Sequence, residues 1–258
     1  MIRIWPTTPT AGSNPALALR RTTPWLSPDP DGAISTKRLN DAQEDLAASR
    51  HNWAVANMQS SRWWGSLADR RNEAAARLGG LVWTVTVDLE TPLVVGFGGA
   101  GAAVDTSLLV HPTHGYPYLP GSTLKGAAKA ACAEQQWSTD WAGTGGDDTE
   151  PRPGTVTFFD AVPCSRIELS TAVMTPHHKD YYIGDQWPAD YEQPVPIEFL
   201  VVNRGQFRTH LHASSEHESH LETAAEGLSQ AGRWLGFGAK TASGFGYANI
   251  TTDKEIPQ

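Results

Sequence analysis

Hydrophobic residues recur along this chain with two different periods. In "LVWTVTVDLE", Leu81, Trp83, Val85, Val87 and Leu89 alternate with mostly polar neighbours, which is the two-residue repeat of a half-buried strand. Three further strands are expected in "TVTFFDAV", "RIELSTAV" and "IEFLVV", and a last one in "GFGYANI". Elsewhere the repeat lengthens. Leu39, Leu46, Trp53 and Leu67 are spaced for one or two amphipathic helices between Ser35 and Arg77, which Gly79 and Gly80 bring to a close. "GSTLKGAAKAACAEQQW" predicts a helix from about Thr123 to Trp137, with Ser122 as its N-cap and an alanine-rich body. Another helix is expected from about Ser215 to Leu235, where Leu221, Ala224, Ala225, Leu228 and Leu235 mark one apolar stripe.

Breakers divide these elements. Prolines at 6, 9, 15, 24, 28 and 30 make the first 33 residues an extended, irregular arm. "STDWAGTGGDDTEPRPG" has the Gly, Asp and Pro content of a disordered linker over 138–153, and a long loop runs from Pro176 to Pro196. The chain thus divides into an N-terminal arm and helical extension, 1–79, and a main domain, 80–258. The main domain runs strand, helix, strands, helix, strand, the order of a ferredoxin-like α+β sandwich. Two helices would cover one face of its sheet and leave the other free.

The 258 residues are long enough for one large domain with an accessory segment, and 40% hydrophobic residues can supply its core. A net charge of −8 argues against a broad, uniformly basic nucleic-acid surface, though not against a local basic strip. The two cysteines, Cys132 and Cys164, provide neither a disulfide framework nor a cysteine-based zinc site, so a reducing cytoplasmic setting is expected. No apolar run reaches the roughly 18 residues of a membrane span, and no membrane partner is expected.

Two glycine-rich stretches imitate nucleotide loops. "GFGGAG", with Gly96, Gly98 and Gly101, comes after a strand as the dinucleotide fingerprint does. The fingerprint needs a helix to begin there, and Pro112, Pro117 and Pro120 interrupt the segment in which that helix would run. "GFGAKT" lacks the Gly directly before Lys that a Walker A loop requires, and it lies after a helix and before a strand. Two readings of this second stretch stay open. Its glycines allow backbone amides to approach an anion beside Lys240, or Gly236 is a helix C-cap and Gly244 a bulge.

"YLPGSTLKGAAKAA" offers a helix N-terminus at Gly121 to Thr123, where free N–H groups and the positive end of the helix dipole suit an anion. Lys125 and Lys129, four residues apart, project from one face near that end. The alternative is a capped surface helix with two solvated lysines. Two separate segments that each expose amides and lysine suggest a phosphate backbone more than a single nucleotide. The histidines His210, His212, His217 and His220 in "THLHASSEHESH" reproduce no closed metal-site pattern, so solvated surface histidines are expected and no metal. His177 and His178 in "TPHHKDYY" are placed in a loop, where a general acid or base for RNA cleavage could sit, but no second partner is evident, so a structural loop is expected. Asp105 lies in the loop after the first strand, a position for chemistry or for a turn.

"GYPYLPGSTLKGAAKAA", "GTVTFFDAVP", "TPHHKDYY" and "GFGAKTASGFGY" succeed one another in the order seen in RAMP-superfamily proteins of CRISPR systems. Among these the chain most resembles the sixth-subunit (Cmr) family of type III-B effector complexes, and "NPALALRR" is similar to that family's opening segment. The resemblance covers almost the whole chain. It implies a ferredoxin-like (RRM-like) RAMP fold with an N-terminal helical extension and a C-terminal Gly-rich loop. It also implies a non-catalytic place at the end of the complex that holds the 3′ part of the guide RNA, in antiviral defence. Guide (CRISPR) RNA, target RNA and other Cmr subunits would be its partners, with no cofactor. The family's RNA-contacting segments carry over to Gly121, Ser122, Thr123, Lys125 and Lys129, and to Gly236, Gly238, Ala239, Lys240 and Thr241. The cutting backbone subunit of such complexes uses an Asp in the region comparable to Asp105. The alternative is therefore a RAMP-type endoribonuclease using Asp105 or His177 and His178.

Overall fold

Strand β1 (Leu81–Leu89) forms where the alternation is strictest, and it becomes the spine of the main sheet. The structure is a computed structural model, which describes residues 64–96, 108–144, 151–175 and 196–254 together with positions 181, 184 and 187. One neighbour of β1 is β6 (Gln206–Ala213) and the other is β7 (Ala248–Asp253), both antiparallel to it. Two short strands, β2 (Thr157–Phe158) and β3 (Val162–Pro163), pair with the far edge of β6. The sheet order is β2/β3, β6, β1, β7. A separate antiparallel pair, β4 (Glu168–Met174) and β5 (Ile197–Arg204), joins the body through the bridge Leu93↔Val202. Gly205, at φ 146°, turns the chain from β5 directly into β6; that backbone region is close to glycine-only.

Register sorts the residues between the two faces. Trp83 lies opposite Leu211, Val85 opposite Thr209 and Val87 opposite Phe207. Directly paired residues share a face, so this one carries most of the core. Helices α2 (Gly121–Glu134) and α3 (Glu218–Gln230) pack against each other, and α3 lies on β6 and β7. Their contact is close because it is lined by small residues. A Cβ on Gly227 would stand 2.4 Å from Cys132 Sγ and 2.9 Å from the Ala128 carbonyl. The apolar stripe expected on the second helix is buried at Leu221, Ala224, Ala225 and Leu228. A π turn, Ala231–Leu235, then ends α3 at Gly236. Among the described residues, no helix is long and apolar enough to cross a membrane.

Several expectations need correction. The second face of the sheet is not free, because α1 (Trp64–Ala75) reaches it. Asn72 of α1 is buried, and its Oδ1 lies 3.0 Å from His210 Nε2 on that face. The rest of the 1–79 section falls outside the described residues, apart from the turn at 76–79 that leads into β1. β6, the central partner of β1, is not set out among the strands expected from alternation; only the His-x-His spacing at His210 and His212 points to a strand there. The first helix begins and ends earlier than its pattern suggests, at Gly121 and Glu134. Pro120, not Ser122, occupies its cap position, and no side chain of its own segment caps it. The described flanks of the 138–153 linker are ordered. Trp141 in the 3-10 turn Asp140–Ala142 is fully buried, and Thr144 pairs with Arg152.

Candidate nucleic-acid interface

The start of α2 is held by tertiary contacts. Gly121 is buried where the helix meets the connection between β2 and β3, and a Cβ there would lie 2.2 Å from the Phe158 carbonyl. Only glycine permits that approach. Its N–H donates to Asp160 Oδ1 at 2.8 Å. The amide expected to await an external anion is therefore already given to an internal carboxylate, which also suits the positive end of the helix. The Thr123 N–H turns back to the Pro120 carbonyl at 2.9 Å. Ser122 is exposed, and Leu124 anchors the turn in the core.

Lys125 and Lys129 do share a face. Lys129 is exposed; Lys125 is half-buried, its Nζ packed so close to Gly154 that a Cβ there would stand 2.6 Å from it. Burial, then the charge of Lys129, pushes the Lys125 ammonium below the usual lysine range. A polyanion across both side chains would relieve that repulsion. A further cation lies at the same end of the structure: Arg71 Nη1 donates to the Asp160 backbone carbonyl at 2.7 Å. Arg71 and Asp160 are not legible as site residues in the sequence, since their contact joins positions far apart in the chain with no local pattern to announce it.

The glycine stretch from 236 to 247 is a fixed connector. Gly236 (φ 75°) ends the π turn with its N–H on the Ala231 carbonyl at 2.8 Å, in keeping with the cap reading. The Phe237 N–H donates to the Gly246 carbonyl at 2.8 Å, and the Ala239 and Gly246 amides donate to Val94 and Pro92 at 2.8 Å each. Gly238 (φ 86°) is exposed, yet a Cβ there would lie 2.2 Å from the Val94 carbonyl. Gly244 forms no bulge; it closes the 3-10 turn Thr241–Ser243 in the left-handed region. Lys240 is left-handed too (φ 61°), and its side chain folds over the β4–β5 pair. Its Nζ is 2.7 Å from Met174 Sδ and 5.9 Å from the centre of the Phe199 ring. Lys125 and Lys240 thus rest on different parts of the fold, one beside Gly154 and the other on the β4–β5 pair.

The histidines are tied to the fold one by one. His210 bonds Asn72, His212 Nε2 contacts the Gly79 carbonyl at 2.7 Å, and His220 Nδ1 contacts Thr155 Oγ1 at 2.8 Å while stacking on His217. Among the described residues, no group of three or more His, Cys, Asp or Glu side chains is placed to hold a metal ion. Asp105, His177 and His178 lie outside the described residues.

Comparison with known proteins adds a family. Residues 86–249 match the model of the RAMP superfamily. A stretch of 108 residues is 34% identical to a protein named CRISPR system Cmr subunit Cmr6 from Pyrococcus furiosus, covering 38% of this chain and 31% of that one. The match thus spans about a third of that relative's length. A chain in the cryo-EM structure of the type III-B Cmr-beta complex bound to cognate target RNA superposes with a TM-score of 0.66 at 19% identity, over 85% of this chain and 76% of that one. The crystal structure of Cmr6 from Pyrococcus furiosus gives a TM-score of 0.41 at 22% identity, over 66% of this chain and 98% of that one.

Proposed function

This chain belongs to the RAMP superfamily, and from that premise we propose that it is a non-catalytic, guide-RNA-binding subunit of a type III-B CRISPR (Cmr) effector complex. Its place is the side that holds the 3′ part of the guide, within the cytoplasm, with other Cmr subunits and target RNA as partners. The partial likeness to a Cmr6 protein and the shared fold with a chain of an RNA-bound Cmr-beta complex support this reading. The strand order β2/β3, β6, β1, β7, with α2 and α3 in the crossovers, supports its ferredoxin-like form.

The observation that carries the proposal is the paired cation face of α2. Lys125 and Lys129, with Arg71 behind Asp160, offer positive charge to a backbone without donors arranged for a base edge. Lys240 and the exposed turn around Gly238 and Thr241 form a second contact. Such a grip is sequence-independent and salt-dependent, because each neutralised phosphate of a single strand adds about 0.7 to the slope of log affinity against log salt.

The test uses the full chain assembled with the subunits that co-purify with it. Guide-RNA footprints and salt titrations are compared for the natural chain, the Lys125→Ala/Lys129→Ala variant and Lys240→Ala. Lost protection at a few adjacent nucleotides, a slope shallower by about 1 to 1.5 for the double variant, and uncut RNA throughout are expected. Unchanged protection and slope in both variants, or recovery of the chain without RNA or Cmr-like subunits, would overturn the reading.

A further inference from the structure

The loop that leads into α2 carries four aromatic rings, and three of them are stacked. His111 lies 4.9 Å from Tyr116 and 5.0 Å from His114 between ring centres, with interplanar angles of 26° and 29°. His114 and Tyr116 are almost parallel, at 5° and 6.0 Å. Tyr118 meets His111 edge-on at 6.1 Å. The loop is rigid where this happens. Val110 bridges Pro117, His111 and Tyr116 share a 2.7 Å backbone bond, and Gly115 turns at φ 71° with its N–H on the His111 carbonyl. Tyr116 is buried, His111 and Tyr118 are half-exposed, and His114 is exposed.

The chemistry of the stack is uncharged at its centre. His111 Nδ1 accepts the N–H groups of Thr113 and His114 at 3.3 Å each, so its proton resides on Nε2. Burial first, then His114 and Arg71, hold the imidazolium of His111 below the usual histidine range, with Asp160 opposing. A pair of stacked imidazoles cannot flank one phosphate as acid and base from opposite sides, so the geometry does not suit strand cleavage. What the stacked rings of His111 and His114, which reach solvent over the buried Tyr116, provide is a flat π surface. Asp160 ties this surface to the proposed phosphate grip, since it receives Gly121 through its carboxylate and Arg71 through its carbonyl.

We propose that His111 and His114 form a stacking platform for one unpaired RNA base, with Tyr118 edge-on beside it and the flanking phosphates toward Lys125 and Lys129. This rests on the RNA-binding reading above. The carboxylate of Asp160 turns phosphate away from the platform itself, so the base and not the backbone faces the rings. Stacking of this kind tolerates any base, because each has a π face.

The experiment measures binding of a fluorescent single-stranded RNA carrying the guide's 3′ sequence to the full chain in its purified complex. His114→Ala is expected to weaken binding about 5-fold or more, and His114→Phe to restore it. An abasic residue at the stacked position should lower affinity similarly and abolish the difference between the natural chain and His114→Ala. Circular dichroism checks that the variants stay folded, which the exposure of His114 favours. If His114→Ala binds as tightly as the natural chain while Lys125→Ala/Lys129→Ala is impaired, the platform is refuted and the RNA-binding reading stands. If His114→Ala instead loses a subunit and keeps RNA affinity, the rings dock a protein and the proposal falls. If the natural chain fails to bind RNA, both readings fail.

Discussion

Three glycines on the two packed helices should respond to the same change in opposite directions. Gly126 sits mid-helix in α2, exposed, and a Cβ there meets nothing within 4 Å. Replacement by Ala removes backbone freedom from the unfolded chain and should stabilise the protein by about 0.5–1 kcal/mol. Gly227 in α3 offers the same gain but not the space: its Cβ would stand 2.4 Å from Cys132 Sγ and 2.9 Å from the Ala128 carbonyl. Overpacking of a close helix contact costs about 1–3 kcal/mol, so Gly227→Ala should lose about 1–2 kcal/mol net. At Gly121 the obstacles are backbone atoms, with Phe158 O at 2.2 Å and the Phe159 carbonyl carbon at 3.0 Å. Backbone cannot rotate away, and any shift also strains the bond from Gly121 to Asp160. Gly121→Ala should therefore cost about 2–3 kcal/mol. Urea denaturation would read all three, through midpoints at unchanged slope. A Gly227→Ala protein as stable as Gly126→Ala would refute the close approach of α2 to α3. A harmless Gly121→Ala would remove the packing reason for that glycine and leave its backbone amide as the better explanation.

Acid should loosen the sheet through His210. Burial, then Arg208 and Arg71, lowers its pKa to about 4, and in the unfolded chain it returns to about 6.5. The neutral ring in the native state means that its contribution is complete above about pH 6.5 and declines as pH falls toward about 4, by up to about 3 kcal/mol. His210→Gln should flatten that part of a pH–stability profile, and an unchanged profile would contradict the burial of a neutral imidazole. Asp160→Ala removes the tertiary cap of α2 and should cost about 1 kcal/mol in urea denaturation. It also removes a negative charge from the proposed interface, so RNA binding at low salt should tighten a few-fold, and weaker binding would argue that Asp160 positions the site.

Periodicity reveals what local sequence controls. β1 and α3 are legible because burial along each obeys one repeat. β6 is only weakly legible because Thr209 interrupts its apolar positions Phe207, Leu211 and Ala213, while its other face carries Arg208, His210 and His212. His210 is buried by Asn72 from α1, a contact between distant parts of the chain that no window of sequence contains. The cap of α2 is hidden in the same way. Ser122 is a good capping residue, but the acceptor that serves this helix is Asp160 from another segment. Lys125 and Lys129 can be read as a pair from their spacing alone. The packing of Lys240 against Met174 and Phe199 cannot, since it depends on how the β4–β5 pair folds over the Gly-rich turn.

A net charge of −8 would by itself oppose an RNA ligand, and on the RNA-binding reading the two packed helices offer a resolution. Glu218, Glu222 and Glu226 repeat every four residues and are all exposed, so α3 presents an acidic ridge, of which Glu222 is paired with Lys254 Nζ at 2.9 Å. α2 beside it presents Lys125 and Lys129. Packed helix axes lie about 8–10 Å apart, close to the Debye length of about 8 Å at physiological salt. The acidic ridge is therefore near enough to repel a phosphate backbone from α3 and only partly screened from α2. On the RNA-binding reading, this gradient does not merely reduce affinity. It confines the strand to the α2 end, where Arg71 and the aromatic loop lie, and leaves the ridge of α3 for water or for a protein neighbour with basic side chains. An acidic chain can then hold RNA along one edge without attracting it elsewhere, because the sign of the local field and not the sum of charges decides where a polyanion settles.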